Sequence, residues 1–268
     1  MKIIQFSDIH AGGPAEDWMG YFDKRWVGVF NYSFRRKFQH DLNKLHAAVD
    51  YILAEKPDLA VCTGDLTSTG QPGEFEKVKV ILKRIVESDV PLFFVPGNHD
   101  FYVYRKRCIN AMKHMVEYLN QGRYDFDRLP VALEHGGLDF VIINECWPSN
   151  LLSSHGWVRP VHSRQVENFC SGEKTRPRVL IGHYPLIEKH PIKRARHRLY
   201  GQKTLSKLLK EQRIDLSLCG HVHKPYAKLD EHGRGEICAG SVTRNSCMAK
   251  IEYEPNDNIF KYERIMLN

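Results

Sequence analysis

The sequence predicts an α/β fold, and three observations lead to it. Five short apolar runs, Lys2–Phe6, Asp58–Cys62, Leu92–Val95, Val179–Ile181 and Leu216–Cys219, read as buried strands. Amphipathic helical stretches separate the first three, which makes β-α-β-α-β and implies parallel strands joined by right-handed crossovers. The last strand-like segments, Glu236–Ala239, Cys247–Tyr253 and Ile259–Ile265, follow one another with no helix between them and are expected to be antiparallel. A chain of 268 residues suits one α/β domain, expected to span 1–268.

Taken in order, the first strand is followed by an irregular, aromatic and basic insertion at about 14–40. Asp41–Glu55 carries Leu42, Leu45, Val49 and Ile52 at helical spacing and stops near Pro57. The second strand follows, then a helix over Gly73–Ser88 with Phe75, Val78, Leu82 and Ile85 on one face. The third strand precedes a helix near Arg105–Leu119. In the second half, Leu138–Asn144, Val179–Ile181 and Asp215–Cys219 read as strands, and Ser163–Cys170 and Thr204–Gln212 as helices.

Composition narrows the class of protein. Hydrophobic residues make up 42% and charged residues 26%, a globular rather than a disordered balance. The net charge of +7 favours anionic partners. The 7 cysteines are odd in number and contain no C-x-x-C pair, so neither a disulfide framework nor a zinc ribbon is expected. A reducing, cytoplasmic setting fits. No run approaches the roughly 20 apolar residues of a membrane span. A secretory leader is not expected, because the first strand begins at Lys2 and a candidate ligand stands at Asp8.

The chemistry lies at the strand ends. Each of the five apolar runs is followed at once by metal-ligand types: Asp8-x-His10, Gly64-Asp65, Gly97-Asn98-His99-Asp100, Gly182-His183 and Gly220-His221-x-His223. A buried strand that stops at glycine delivers the next side chain from its C-terminal end. Carboxylates, imidazoles and an amide oxygen without thiolates suit divalent Mn, Fe or Zn rather than a structural zinc. Asp8, His10, Asp65, Asn98, His183, His221 and His223 are too many for one tetrahedral ion, so two ions are expected, with Asp65 the natural bridge. Such a pair can clamp a phosphate oxygen and present a hydroxide to phosphorus. His99 is then left over beside a ligand and before Asp100; a histidine oriented by a carboxylate can protonate a leaving alkoxide. His40, His46, His114, His135 and His232 lack this context and read as ordinary core or surface histidines.

The order D-x-H, G-D, G-N-H-D, G-H, G-H-x-H, running from Asp8 to His223, resembles the calcineurin-like metallophosphoesterase superfamily. The resemblance implies a four-layer α-β-β-α sandwich of two mixed sheets. It also implies that Asp8, His10, Asp65 and His223 hold one ion and Asp65, Asn98, His183 and His221 the other. His99 would be the catalytic acid or phosphate contact, with Asp100 orienting it. Protein Ser/Thr phosphatases of the superfamily carry G-D-x-x-D-R, whereas this chain has Gly64-Asp65-Leu66-Thr67-Ser68-Thr69-Gly70. The segment is more similar to the branch that holds cyclic-nucleotide phosphodiesterases, glycerophosphodiesterases and UDP-diacylglucosamine pyrophosphatases. The expected reaction is metal-hydroxide attack on a phosphodiester or pyrophosphate of a small nucleotide or nucleotide-linked lipid. A nuclease of the same superfamily and a non-catalytic scaffold are the alternatives.

Two segments are expected to read the substrate. Trp18–Phe38 mixes Trp18, Tyr21, Phe22, Trp26, Phe30, Tyr32, Phe34 and Phe38 with Lys24, Arg25, Arg35, Arg36 and Lys37. It could lie at a membrane interface, placing the protein at the inner membrane face. It could equally stack on nucleic acid bases, form a dimer contact, or pack on the sandwich. His190–Arg198 follows a candidate ligand, and its Arg194 and Arg196 suit bidentate phosphate contacts. Tyr102 is a further candidate for the pocket wall.

Overall fold

The protein is described from a computed structural model, which covers residues 1–34, 39–148, 154–187 and 198–267. Thirteen strands and seven α-helices are numbered in chain order among these residues. The strands are β1 (Lys2–Phe6), β2 (Leu59–Cys62), β3 (Leu92–Phe94), β4 (Val131–His135), β5 (Leu138–Ile142), β6 (Gly156–Trp157), β7 (Arg178–Ile181), β8 (Leu199–Tyr200), β9 (Leu216–Cys219), β10 (Tyr226–Leu229), β11 (Gly235–Cys238), β12 (Cys247–Glu254) and β13 (Ile259–Met266). The helices are α1 (Arg25–Phe34), α2 (Asn43–Glu55), α3 (Pro72–Val86), α4 (Lys106–Leu119), α5 (Pro160–Ser171), α6 (Lys203–Lys210) and the short α7 (Val242–Asn245).

Two mixed sheets carry the molecule, in the orders β13-β12-β1-β2-β3 and β10-β11-β9-β7-β5-β4. In the first, β1, β2 and β3 are parallel, β12 runs against them, and β13 at the edge is antiparallel to β12. In the second, β5, β7, β9 and β11 are parallel, with antiparallel β4 and β10 at the edges. The sheets meet face to face. Phe93 of β3 packs edge-on against Phe140 of β5, and Gln5 of β1 donates to the carbonyl of Cys219 in β9 at 2.8 Å. Helices α2, α3 and α4 pack against one another beside the first sheet and α5 and α6 against one another beside the second, which completes the four-layer sandwich.

The helices obey simple patterning. In α2, Leu45, Ala48, Val49 and Ile52 are buried at three- and four-residue spacing, each larger side chain contributing roughly 1.5–3 kcal/mol. The helix stops at Lys56, which turns left-handed (φ 44°) before Pro57. In α3, Pro72 occupies the first turn, and the buried Glu74 side chain accepts from the backbone N–H of Thr69 and Gln71.

The structure corrects three sequence expectations. The insertion is not irregular: a 3-10 turn at Trp18–Tyr21 leads into α1. Its pattern is inverted, with Arg25, Gly28 and Val29 buried while Trp26 and Phe30 are exposed, so apolar periodicity marks the outer face. Strands β4 and β10, both at sheet edges, are additions to the predicted set: neither has a fully buried residue, β4 alternating between half-buried and exposed and β10 being mostly half-buried, so no buried apolar run marks them. The closing segments do not form one antiparallel run. β11 pairs in parallel with β9, and α7 carries the chain across to the other sheet before β12.

Candidate metal centre

The topology gathers the five strand ends. β1, β2 and β3 are adjacent and parallel, as are β7 and β9, so each group ends on one side. The two groups are tied across the sandwich where His183 Nδ1 donates to the carbonyl of Thr63 at 2.6 Å. The glycines permit this convergence. A Cβ on Gly97 would stand 2.1 Å from Asp65 Oδ1, and one on Gly220 would stand 2.1 Å from Ser7 Oγ.

Two groups of donor atoms result, each lying within 4.8 Å: Asp8, His10, Asp65 and His223, and Asp65, His183 and His221. Asp65 belongs to both. In the first group, His10 Nε2 and His223 Nε2 are 2.8 Å apart, and His223 Nε2 is 3.3 Å from Asp8 Oδ1. In the second, His183 Nε2 is 3.5 Å from Asp65 Oδ2. Asn98 Oδ1 joins this group at 2.9 Å from His221 Nδ1 and 3.2 Å from His183 Nε2. All seven candidate ligands predicted from the sequence are therefore brought together.

Three features fit this set to divalent cations. Ring nitrogens converge on one another and on carboxylates in a water-poor space, where a cation replaces the lost solvation. The bond from His183 Nδ1 to Thr63 leaves Nε2 facing the cluster, as a metal-binding tautomer requires. The backbone is also held at a cost: Asp8 (φ 56°), His10 (φ 53°), Asp65 (φ 57°), His221 (φ 69°) and His223 (φ 57°) are all left-handed. Left-handed backbone costs a non-glycine residue about 1–2 kcal/mol, and such strain gathers where function needs it.

The buried charges of the cluster shift one another. Burial pushes the Asp8 carboxyl up to about 8, against the pull of His183. Burial also opposes ionisation of Asp65, but the charges of His183 and His99 hold it well below the ordinary range. Burial would lower His183, yet Asp65 and Asp8 raise it to about 10. The shared carboxylate is thus the one whose surroundings favour its charge.

His99 stands at the edge of this cluster. Its backbone N–H donates to Asp65 Oδ1 at 2.7 Å, and its ring meets that of His10 edge-on. The expectation that Asp100 orients it is corrected. Asp100 is buried and accepts from Thr67 N–H, Thr67 Oγ1 and Gly97 N–H, so it braces the loops around the site. His99 Nδ1 instead bonds the carbonyl of Ser68 at 2.7 Å. Tyr102 is also reassigned: it is 6% exposed, its ring stacks on His99, and Lys24 Nζ lies over that ring at 4.4 Å. It backs His99 and offers little surface to a ligand. Arg194 and Arg196, with most of His190–Arg198, lie outside the described residues, as do Arg35, Arg36, Lys37 and Phe38.

Sequence reading missed two residues of the site. His40 is buried, lies 2.7 Å from Thr243 Oγ1, and sets its ring against those of His10 and His223. It follows no strand, so no local signal marks it. Glu145 is buried behind His183 and accepts from the N–H groups of His183 and Tyr184. Its signal was present, since it follows an apolar run just as the ligands do.

Comparison with known proteins places this geometry. The profile of the calcineurin-like phosphoesterase family matches residues 1–225. The chain is 26% identical over 190 residues to a Pseudoalteromonas protein (strain SM9913) named "Probable cyclic nucleotide phosphodiesterase", covering 67% of this chain and 61% of that one. It is 28% identical over 176 residues to an Arcobacter nitrofigilis protein named "Probable glycerophosphodiester phosphodiesterase", covering 64% of this chain and 59% of that one. The chain thus spans less than two thirds of the length of either relative. A dimetal phosphatase from Danio rerio superposes with a TM-score of 0.64 at 13% identity, covering 100% of this chain and 99% of that one, a likeness of fold alone.

Proposed function

The chain belongs to the calcineurin-like phosphoesterase family, and from this we propose that it is a metal-dependent phosphoric ester hydrolase acting on a phosphodiester or pyrophosphate bond. The observation that carries the reading is the position of Asp65 in both donor groups. Asp8, His10, Asp65 and His223 would hold one divalent ion, and Asp65, Asn98, His183 and His221 the other. Mn, Fe or Zn suits these donors. Such ions, when bound, supply Lewis-acid charge for the phosphoryl oxygens and lower the pKa of water.

The chain's own residues supply the rest. His99 Nδ1 donates to Ser68, which makes Nε2 the ring atom that can hydrogen-bond a phosphoryl oxygen or hand a proton to the leaving group. The bond from His99 N–H to Asp65 holds that acid in register with the shared carboxylate. Stacking on Tyr102 fixes the plane of the ring. The names of the two relatives support a diester, and the substrate we favour is a small nucleotide or a nucleotide-linked lipid.

Loading with Mn²⁺ should give hydrolysis of bis(p-nitrophenyl) phosphate. Protein that binds two ions yet stays inactive with Mn²⁺, Fe²⁺, Zn²⁺ and Co²⁺ would overturn the enzyme reading. A screen of cyclic nucleotides, glycerophosphodiesters and UDP-linked lipids then identifies the substrate class.

A further inference from the structure

The outer face of the insertion carries an unusual concentration of exposed aromatic rings. Trp18, Tyr21, Phe22, Trp26 and Phe30 are all exposed, Trp18 by 71% and Phe22 by 75%. Trp26 and Phe30 lie four apart on α1 and share one helix face. The rings of Trp18 and Phe22 are in edge contact at 5.8 Å. Apolar groups gathered in this way mark a surface that meets something other than water.

The other side of the same segment is firmly mounted. The Arg25 guanidinium is buried and paired with Asp17 and Asp23 at 2.8 and 3.0 Å. Arg105 also reaches Asp23, and Arg107 reaches Glu16. Gly28 lies so close to Thr69 that a Cβ there would stand 2.3 Å from its methyl group. The aromatic face is therefore presented on a fixed support.

The sequence charge next to this face selects its partner. Arg35, Arg36 and Lys37 follow α1 directly in the chain and no acidic residue stands between Lys24 and His40, in a chain of net charge +7, while Arg25 is neutralised by Asp17 and Asp23. A second copy would bring the same basic run against itself, which like-charge repulsion disfavours. Nucleic acid needs a track of cations for its phosphates, but Arg25, Arg105 and Arg107 are already paired with acids. Tryptophan and tyrosine favour the bilayer interface, and basic residues are drawn to anionic lipid.

We propose that the exposed aromatic face running from Trp18 to Phe30 docks the protein on an anionic lipid bilayer, with α1 lying in the plane of the interface. No helix among the described residues is long and apolar enough to cross a membrane, so the contact is peripheral. The face adjoins the metal centre: the Tyr32 ring covers Gly12, two residues past His10, and Lys24 lies over Tyr102, the ring that stacks on His99. Docking therefore brings the rim of that centre to the bilayer surface. The proposal goes beyond the hydrolytic reading and stands without it.

Sedimentation with vesicles tests it without any catalytic assay. The whole chain should sediment with mixed phosphatidylcholine and phosphatidylglycerol vesicles, less so with phosphatidylcholine alone, and less so in high salt. The double variant Phe22→Ser/Trp26→Ser should lose binding on the order of tenfold or more while melting like the wild type. Val80→Ser, an exposed apolar position on α3, should bind as the wild type does. No sedimentation with anionic vesicles, or equal sedimentation of a folded double variant, overturns the proposal. So does a dimer, or oligonucleotide binding, that the double variant abolishes.

Discussion

Glu145 holds His183 by its backbone: the buried carboxylate accepts from the N–H of His183 at 2.8 Å, and the same oxygen accepts from Tyr184 at 2.8 Å. A second buried carboxylate, Glu236, accepts from Leu186 at 2.6 Å and Ile187 at 3.0 Å. Residue 185 is proline and has no N–H, so every backbone donor from His183 to Ile187 ends on one of two acids. These acids come from different places in the second sheet, Glu145 beyond β5 and Glu236 within β11. The loop that carries the candidate ligand is thus held from both sides.

Glu145→Ala should therefore damage one half of the centre more than the other. Two buried N–H groups lose their acceptor, at about 1–3 kcal/mol each. Metal analysis should show one ion retained by the Asp8, His10 and His223 side and the second weakened. Glu145→Gln, which keeps an acceptor oxygen, should recover much of that occupancy. Two tightly bound ions in a folded Glu145→Ala protein would refute this positioning role.

Asp65→Ala removes the carboxylate common to both donor groups. It should abolish the binding of both ions and lower diester hydrolysis on the order of a thousandfold. Chelation of the wild type should lower its melting temperature, and Mn²⁺ should restore it, because a ligand that binds only the folded state stabilises it. Calorimetry with and without chelator checks this.

His99→Ala should keep both ions, since His99 belongs to neither donor group. Hydrolysis should slow by about 10²–10⁴. The loss should be larger for a diester with an alkyl leaving group than for one that releases p-nitrophenolate, which needs little protonation. Equal losses on both substrates would point to phosphate binding rather than proton transfer as the role of His99.

Arg25→Met removes a cation that is buried between Asp17 and Asp23. Stability at neutral pH should fall by about 3 kcal/mol. Hydrogen bonds from Arg25 hold Asp17 below the ordinary carboxyl value of 3.8. Burial opposes the same effect at Asp23, where Arg25 still prevails. A depressed folded-state pKa adds stability above the unfolded value and loses it as pH falls through the folded one. The gap between wild type and variant should therefore be full at neutral pH and narrow below 3.8. Urea titrations across that range measure it.

The candidate ligands were legible because their signal is local. An apolar strand, a glycine and a polar side chain are neighbours in sequence, and parallel strands bring such ends to one side. The same grammar pointed at Glu145, but a lone acid after a strand says nothing about which N–H it will face. His40 carried no such context and was read as ordinary. The helix α1 was missed because its periodic residues, Trp26 and Phe30, face outward while Arg25 is buried.

The sequence alone therefore determined the donor types, their order and the α/β alternation, all set by residues a few positions apart. Tertiary structure decided which atoms meet. It turned His99 toward Ser68 rather than Asp100, closed Glu145 and Glu236 on one loop, and buried Arg25 among acids. Those contacts join residues far apart in the chain. No periodicity encodes them: a buried polar group takes whichever partner the packed sheets bring within reach, because leaving it unpaired costs more than the contact itself gains.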